Sequence, residues 1–481
     1  MKTIAPPRLS LAVPLILILA ACAATLPEAP VKIALPASYA QAQSGWEPAQ
    51  AMAAAPRGAW WSVFDDPVLN DLETQVAQHN QSLAAQLAAY EQAQAAVAQA
   101  QAAYYPAVTA GASANRARTA GTGAVGNSLS ASLGASWEPD LWGKVRLQVQ
   151  AGQATAAASA ATLANTQLSL QSTLATSYLQ IRTVDAQIVL AQNTVAAYQR
   201  ALQITDNRYK AGVGTAADVA SARTQLLQAQ TSLTDLGVTR VQLQNAIAVL
   251  VGKPPAEFSL PAANTLPEVP AIPAGIPAQL LQRRPDLAAA QAQVQAANAQ
   301  IGVAQTAWFP NLTLSAQGGS QAARITELFS APSLFWSLGP QLAATLFDGG
   351  LRRAQVQSSQ AAYRQTVANY RQSVLTALQQ VEDNLAAQRI LAQEAQQQAE
   401  VVQAAEVSLR LAENQYKAGT APYLNVITAQ TTATSARNAQ LTLLNRRYAA
   451  SVALIQALGG GWGAADTPAI GPLPAASSGA R

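Results

Sequence analysis

The sequence predicts an α+β membrane protein, a homotrimeric twelve-stranded transmembrane β-barrel with four strands from each chain, continued by a long α-helical coiled-coil barrel. Three observations predict it. The chain repeats itself, four segments alternate apolar with small or polar side chains, and the helical segments keep a heptad over lengths that no compact domain holds.

The duplication has an offset slightly above 200 residues. Tyr104-Tyr105-Pro106 matches Trp308-Phe309-Pro310, and Trp142-Gly143-Lys144-Val145-Arg146 lines up with Asp348-Gly349-Gly350-Leu351-Arg352. Asn207-Arg208-Tyr209-Lys210-Ala211-Gly212 matches Asn414-Gln415-Tyr416-Lys417-Ala418-Gly419, and Arg240 falls in register with Arg447. The two repeats span residues 67–252 and 278–459. Residues 253–277 form a Pro-rich linker between them, residues 22–66 precede them as an extended segment, and residues 460–481 follow as a tail.

Residues 1–21 read as an export leader. Lys2 and Arg8 precede an apolar run from Leu9 to Ala21. That run is shorter than the ~20 residues a membrane span needs and has the length of a signal-peptide core. It ends Leu19-Ala20-Ala21-Cys22, which resembles the bacterial lipobox, so Cys22 is expected to carry a covalent lipid and to begin the mature chain. Ala23 departs from the Asp of the known inner-membrane retention signal, and the resemblance therefore points to the outer membrane.

Within each repeat the plan is helix, strand, strand, long helix, turn, helix. The strands are expected at about 107–116, 128–140, 311–320 and 334–347. Leu129, Leu133 and Trp137 alternate with Ser130, Ser132, Gly134 and Ser136. Leu334, Trp336, Leu338 and Leu342 alternate with Phe335, Ser337, Gly339 and Gln341. Period two marks a strand with one greasy face. After each second strand, Gly143 and Gly349-Gly350 mark the bend into a helix. Ile181, Ile188, Val195, Leu202 and Tyr209 then recur every seventh residue, and Val219, Ala222, Leu226, Ala229, Leu233 and Leu236 keep 3-4 spacing in the helix that follows. The shorter helices of each repeat have the lengths to stack end to end.

Four strands of this length fit an outer-membrane barrel but cannot close one, and lipid does not tolerate open sheet edges. A dimer gives eight strands, whose inner side chains fill the interior, whereas a trimer gives twelve and leaves a lumen. The Ser- and Gly-bearing faces suit that lumen and the Leu- and Trp-bearing faces suit lipid.

Composition narrows the function. Only 11% of residues are charged and no run of Lys or Arg exists, so nucleic-acid binding has no electrostatic support. One cysteine and one histidine, His79, exclude an internal disulfide and a His/Cys metal cluster. No phosphate-binding loop or patterned carboxylate pair is present, so neither an enzyme nor a cofactor is expected.

These features together resemble the TolC-like outer-membrane efflux protein family, in particular its lipoprotein branch. The carriers are the lipobox, the repeated Tyr-Lys-Ala-Gly turns, Arg283-Arg284-Pro285-Asp286, Trp308-Phe309-Pro310 and Phe347-Asp348-Gly349-Gly350. The resemblance implies a trimer anchored in the bacterial outer membrane, with its helices in the periplasm and an equatorial region built from the linker and termini. It implies partners too, a periplasmic adaptor and an inner-membrane transporter that supplies the energy. The function implied is the exit channel of a tripartite efflux system for drugs or other small toxic compounds. Two alternatives stand beside it, the duct of a type I protein secretion system and a lipoprotein coiled-coil adaptor.

The same resemblance assigns adaptor docking to the turn residues Tyr209, Lys210, Ala211 and Gly212 and to Tyr416, Lys417, Ala418 and Gly419. Both glycines also suit a helix C-cap. Relatives narrow the periplasmic mouth with acidic rings, for which Asp206, Asp218 and Glu413 are the nearby candidates. The second turn, Thr420-Ala421-Pro422-Tyr423, contains no acid.

Overall fold

A computed structural model of the chain describes residues 35–36, 38–40, 59–118, 120–121, 123, 125–263, 265–272 and 283–462. The leader, Cys22 and most of the C-terminal tail lie outside the described residues. Seven α-helices and four strands follow in chain order among the described residues: α1 Pro67–His79, α2 Gln81–Ala102, β1 Ala107–Arg118, β2 Val125–Trp137, α3 Lys144–Lys210, α4 Ala216–Leu250, α5 Pro285–Thr306, β3 Asn311–Ala322, β4 Leu334–Ala343, α6 Leu351–Lys417 and α7 Tyr423–Ala457. The repeat is metrically close: α3 and α6 have 67 residues each, and α4 and α7 have 35 each. At 1.5 Å per residue the long helices measure about 100 Å. No described helix is long and apolar enough to cross a membrane.

The strands form one antiparallel sheet in the order β1-β2-β3-β4, which leaves β1 and β4 at its edges. Two strands end earlier than expected. Strand β2 stops at Trp137 instead of reaching 140, because Pro139 leaves the sheet and the Asp140 carboxylate turns to accept from the backbone N–H groups of Val145 and Arg146 at the start of α3. Strand β4 stops at Ala343, short of Phe347, because Ala343 already faces Asn311, the first residue of β3. At the other end β2 starts three residues early, at Val125, and β1 runs on to Arg118 to meet it.

Near the sheet the helices lie side by side in the order α2, α3, α5, α6, and in the far half the order is α4, α3, α7, α6. Helix α3 therefore runs the full length in the interior of the wall, while α6 forms one edge throughout. The opposite edge is α2 above and α4 below, joined end to end. The Asn80 side chain accepts from Leu83 N to cap α2 and donates to the last carbonyl of α4, Leu250 O, at 2.8 Å. In the second repeat Arg284, just ahead of α5, donates to Ala457 O of α7 at 3.0 Å.

At each junction the ending helix turns away through a glycine with positive φ, Gly252 (+72°) or Gly459 (+94°). Lys253 N bonds back to Ala248 O, and Gly460 N to Ile455 O, so both ends close as Schellman motifs. A Cβ on Gly252 would collide with His79 O, and one on Gly459 with Arg283 O.

Where the two halves meet, a single core gathers Trp60 and Phe64 from a 3-10 turn, Leu69, Leu72 and Val76 from α1, and Leu174, Tyr178, Leu179 and Ile181 from α3. Tyr39 and Leu260 bring the N-terminal segment and the linker into it. Asp185 binds Arg240 at 2.6 Å and Arg182 at 3.4 Å, and these arginines hold the linker through Leu260 O and Pro261 O, each at 2.8 Å. Tyr448 donates to Pro267 O further along the same linker. The expected extended segments are thus pinned as a belt around the helices, and residues 60–64 coil where an extended chain was expected.

Glu73 is fully buried in this belt, and neither carboxylate oxygen has a hydrogen-bond partner. Burial pushes its pKa up to about 9.

Two predictions follow from these contacts. Gly459→Ala and Gly252→Ala should lower the melting temperature more than Gly349→Ala, whose Cβ meets open space at a comparable positive φ and costs about 1–2 kcal/mol. Equal losses in differential scanning calorimetry would show that the junctions are not tight. Glu73 is protonated in the folded chain and ionised in the unfolded one between the usual carboxylate range and pH 9, so it removes stability as pH rises through that window. Glu73→Gln should therefore gain on the unsubstituted protein as pH is raised from 5 to 9, and a constant difference would contradict the buried carboxyl.

Candidate functional site

The sheet has two chemically distinct faces. Residues paired across the strands share a face, so Ala110, Leu133, Gly318 and Trp336 stand on one side, as do Ala316 and Leu338 or Leu312 and Leu342. Trp336 is 81% exposed and Leu338 75% on that side. The other side carries hydroxyls and amides that bond one another: Ser113 with Ser130 at 2.8 Å and Gln321 with Ser128 at 3.1 Å. One face suits hydrocarbon and the other suits water, as the alternation implies.

Where sheet meets helices, aromatic side chains collect. Trp142 stacks on Phe309 with ring centroids 5.0 Å apart and donates from Nε1 to Pro310 O at 2.6 Å. Trp137 donates to Tyr104 O, and the Arg352 guanidinium lies 4.7 Å from the Trp308 ring centre. Asp348 accepts from Gly350 N and Arg352 N at the start of α6, as Asp140 does at the start of α3. Such amphipathic rings with nearby cations are suited to a membrane–water boundary.

About 100 Å away, at the far ends of α3 and α6, are the two repeated turns. Each is a Schellman ending: Gly212 N bonds to Tyr209 O and Val213 N to Arg208 O, while Gly419 N bonds to Tyr416 O and Thr420 N to Gln415 O. Gly212 and Gly419 have φ of +73° and +77°, and a Cβ on either meets nothing within 4 Å. Lys210, Ala211, Lys417 and Ala418 are exposed beside them.

Below the backbone the turns differ. In the first, Thr215 and Asp218 form a capping box for α4, with Asp218 N donating to Thr215 Oγ1 at 3.1 Å and Thr215 N to the Asp218 carboxylate at 3.2 Å. In the second, Pro422 stands at the N-cap and Tyr423 follows it into the wall. Tyr423 is buried among Ala222, Val426, Ile427 and Leu202, and its ring centre lies 5.2 Å from that of Tyr416. The Arg208 guanidinium covers the Tyr416 ring at 4.8 Å and so ties the first hairpin to the second. Burial, helped by Tyr416, pushes the Tyr423 hydroxyl up to about 12, and Thr205 is its hydrogen-bond partner. Tyr209, the counterpart of Tyr416, is 49% exposed.

The three acidic candidates are placed differently. Asp206 pairs with Lys210 at 2.6 Å, Asp218 belongs to the capping box, and Glu413 is half-buried one residue after Ala412 in the tip cluster. Sequence reasoning did not single out Arg208, Thr205 or Tyr423. The available signal was Pro422, which fixes the start of α7 and so aims the next side chain into the wall.

The sequence profile of the family described as "Outer membrane efflux protein" matches residues 72–253 and 276–460. The chain is 33% identical over 449 residues to the probable efflux pump outer membrane protein TtgC of Pseudomonas putida, covering 91% of each chain. It is 32% identical over 476 residues to the pyoverdine export outer membrane protein OpmQ of the same species, covering 96% of this chain and 99% of that one. Among solved structures, the outer-membrane channel OprN is 29% identical and superposes with a TM-score of 0.81 over 91% of this chain and 100% of its own.

Truncating Tyr423 to Ala should cost about 3 kcal/mol locally by leaving a cavity between the hairpins. Hydrogen exchange should accelerate at residues 198–208 and 412–427 and stay unchanged in the belt. Unchanged protection at the tips would show that the tyrosine does not hold them together.

Proposed function

This chain belongs to the outer membrane efflux protein family, and from that premise we propose that three copies close a twelve-stranded barrel in the bacterial outer membrane and serve as the exit channel of a tripartite efflux system. The observation that carries the reading is a four-stranded sheet that is apolar on one face, polar on the other and unpaired along β1 and β4. In hydrocarbon every backbone N–H and C=O must be satisfied, so the two edges need partners from further copies. The helices make the same demand. Leu227, Val238, Val241 and Val249 are exposed on the α4 edge, and Leu375, Ile390, Val401 and Leu411 on the α6 edge. Pairing α4 of one copy with α6 of the next covers both stripes and builds a tube of twelve rods, continuous with the barrel.

Drugs or other small toxic compounds pass passively through this tube, while an inner-membrane transporter of the resistance–nodulation–division type supplies the energy. A periplasmic adaptor docks on Tyr209, Lys210, Ala211 and Gly212 and on Tyr416, Lys417, Ala418 and Gly419, where the backbone is open on its outer side. Asp206, Asp218 and Glu413 supply the acidic groups of the periplasmic mouth, held narrow by the Arg208–Tyr416 contact between hairpins.

Cys22 carries a lipid that adds a second hold on the membrane. Leu35 packs against the cluster that runs along α5 from Leu287 to Ile301. The stretch from Cys22 to Leu35 extends at most about 45 Å and α5 measures about 33 Å, so an acyl chain at Cys22 reaches the bilayer from any point along that cluster.

Three measurements test these assignments. Native mass spectrometry of detergent-extracted protein should give three copies, and a stable monomer with an intact β signal would contradict the edge argument. Cys22→Ser should abolish incorporation of a fatty-acid probe while the trimer still assembles, and unchanged labelling would remove the lipid assignment. Bulky substitutions at Gly212 and Gly419 should leave surface abundance and trimer intact but abolish export and adaptor cross-linking. Normal export from the double variant would place docking elsewhere.

A further inference from the structure

The polar face of the sheet has one residue that breaks its chemistry. Phe335 pairs with Gly319, and Gly319 pairs in turn with Ser132, so the phenyl group belongs to the face of Ser113, Ser130 and Gln321. The neighbours of Phe335 along β4 point the other way and are open, Leu334 at 63% and Trp336 at 81% exposed, whereas Phe335 is half-buried. Gly319 makes the room. A Cβ there would collide with Ala131 O and lie 2.8 Å from Ser132 Cα, so this position takes only glycine, and the residue paired with Phe335 brings no side chain to that face.

The height of Phe335 is also fixed. The helices attach to the ends of the strands at Ala107, Trp137, Asn311 and Ala343, while the hairpin connections β1–β2, after Arg118, and β3–β4, after Ala322, are made at the other end. Phe335 is the second residue of β4 after its loop, and therefore sits at the end remote from the helices.

We propose that Phe335 contacts cargo at the outer mouth, three copies forming an aromatic collar on an otherwise polar wall that receives aromatic or apolar groups of departing molecules. The inference rests on the barrel reading above. Twelve strands about 4.8 Å apart and tilted by ~45° give a backbone radius of about 13 Å. Hydroxyl and amide groups keep that wall wetted, so an apolar solute gains nothing by approaching it. A phenyl ring offers a face for stacking and is the one large apolar surface that the wall residues of the described strands present to the lumen. A ring–ring contact of this kind changes residence by about two- to twelvefold. The collar therefore discriminates weakly, favouring aromatic over purely hydrophilic cargo at the last step of exit.

The test uses the full-length trimer in planar bilayers, with and without the tip substitution Tyr423→Ala. Benzenesulfonate, added on the side of the hairpin loops, is compared with methanesulfonate as a blocker. Phe335→Ser and Phe335→Leu should shorten the block by the aromatic anion by about two- to twelvefold and leave block by the methyl anion unchanged, while Phe335→Trp should retain or lengthen the aromatic block. Identical aromatic block in all three variants, with trimer stability intact, would overturn the collar and leave Phe335 as a cover for Gly319. Trimers that carry no unitary current in either background would overturn the channel reading itself, and the collar with it.

Discussion

The open backbone edges of one small sheet govern the architecture. A four-stranded antiparallel sheet in water leaves its outer N–H and C=O groups to the solvent at little cost. The same sheet in hydrocarbon does not, because each unpaired group there costs several kcal/mol. With Trp336 and Leu338 turned outward on one face and hydroxyls on the other, this sheet is built for a bilayer, and its two edges then determine what the rest of the chain must do. The long helices leave the sheet at the same end and carry the edge relationship with them, α2 and α4 below the β1 side and α6 below the β4 side.

The belt answers a second demand. Helices of about 100 Å that touch only their neighbours have little to fix their axial register. Here the chain crosses the rods at mid-height with the segment around Tyr39, the turn Trp60–Phe64 and the linker after Gly252. Asp185 with Arg182 and Arg240 ties the linker to α3 and α4, and Tyr178 ties α3 to Asp66 at 2.6 Å. Buried polar groups are costly unless paired, so these contacts allow few alternative positions for the crossing chain. Glu73 is an exception, a carboxyl that remains neutral instead of finding a partner, and the Tyr39 hydroxyl and Trp60 Nε1 are likewise buried without one.

Much of this was legible in the sequence, because periodicity is a local property. The alternation in β2 and β4, the heptad from Ile181 to Tyr209 and the offset repeats translate directly into the sheet, the rods and their duplication. Strand ends were less legible, since β4 stops where β3 begins and only the pairing sets that limit. The belt was hidden because Arg182, Asp185 and Arg240 lie apart in sequence and meet only when α3 and α4 pack, with a linker whose prolines say only that it is extended. Arg208 and Tyr423 were hidden for a similar reason. They act between hairpins more than 200 residues apart, and the repeat that revealed the turns drew attention to what they share and away from what differs.

The four helix endings at Gly212, Gly252, Gly419 and Gly459 share one hydrogen-bonding motif but differ mechanically. At Gly252 and Gly459 a second helix abuts the first with no room for a methyl group, so a load is carried from rod to rod as through a butted joint. At Gly212 and Gly419 a methyl group would meet nothing, and no second helix abuts the turn. A sideways push on a tip is carried instead by α3 and α6, which run unbroken past the belt, and the Arg208–Tyr416 contact shares it between the two hairpins. The duplicated chain thus combines butted joints at the belt with open turns that are braced only against each other.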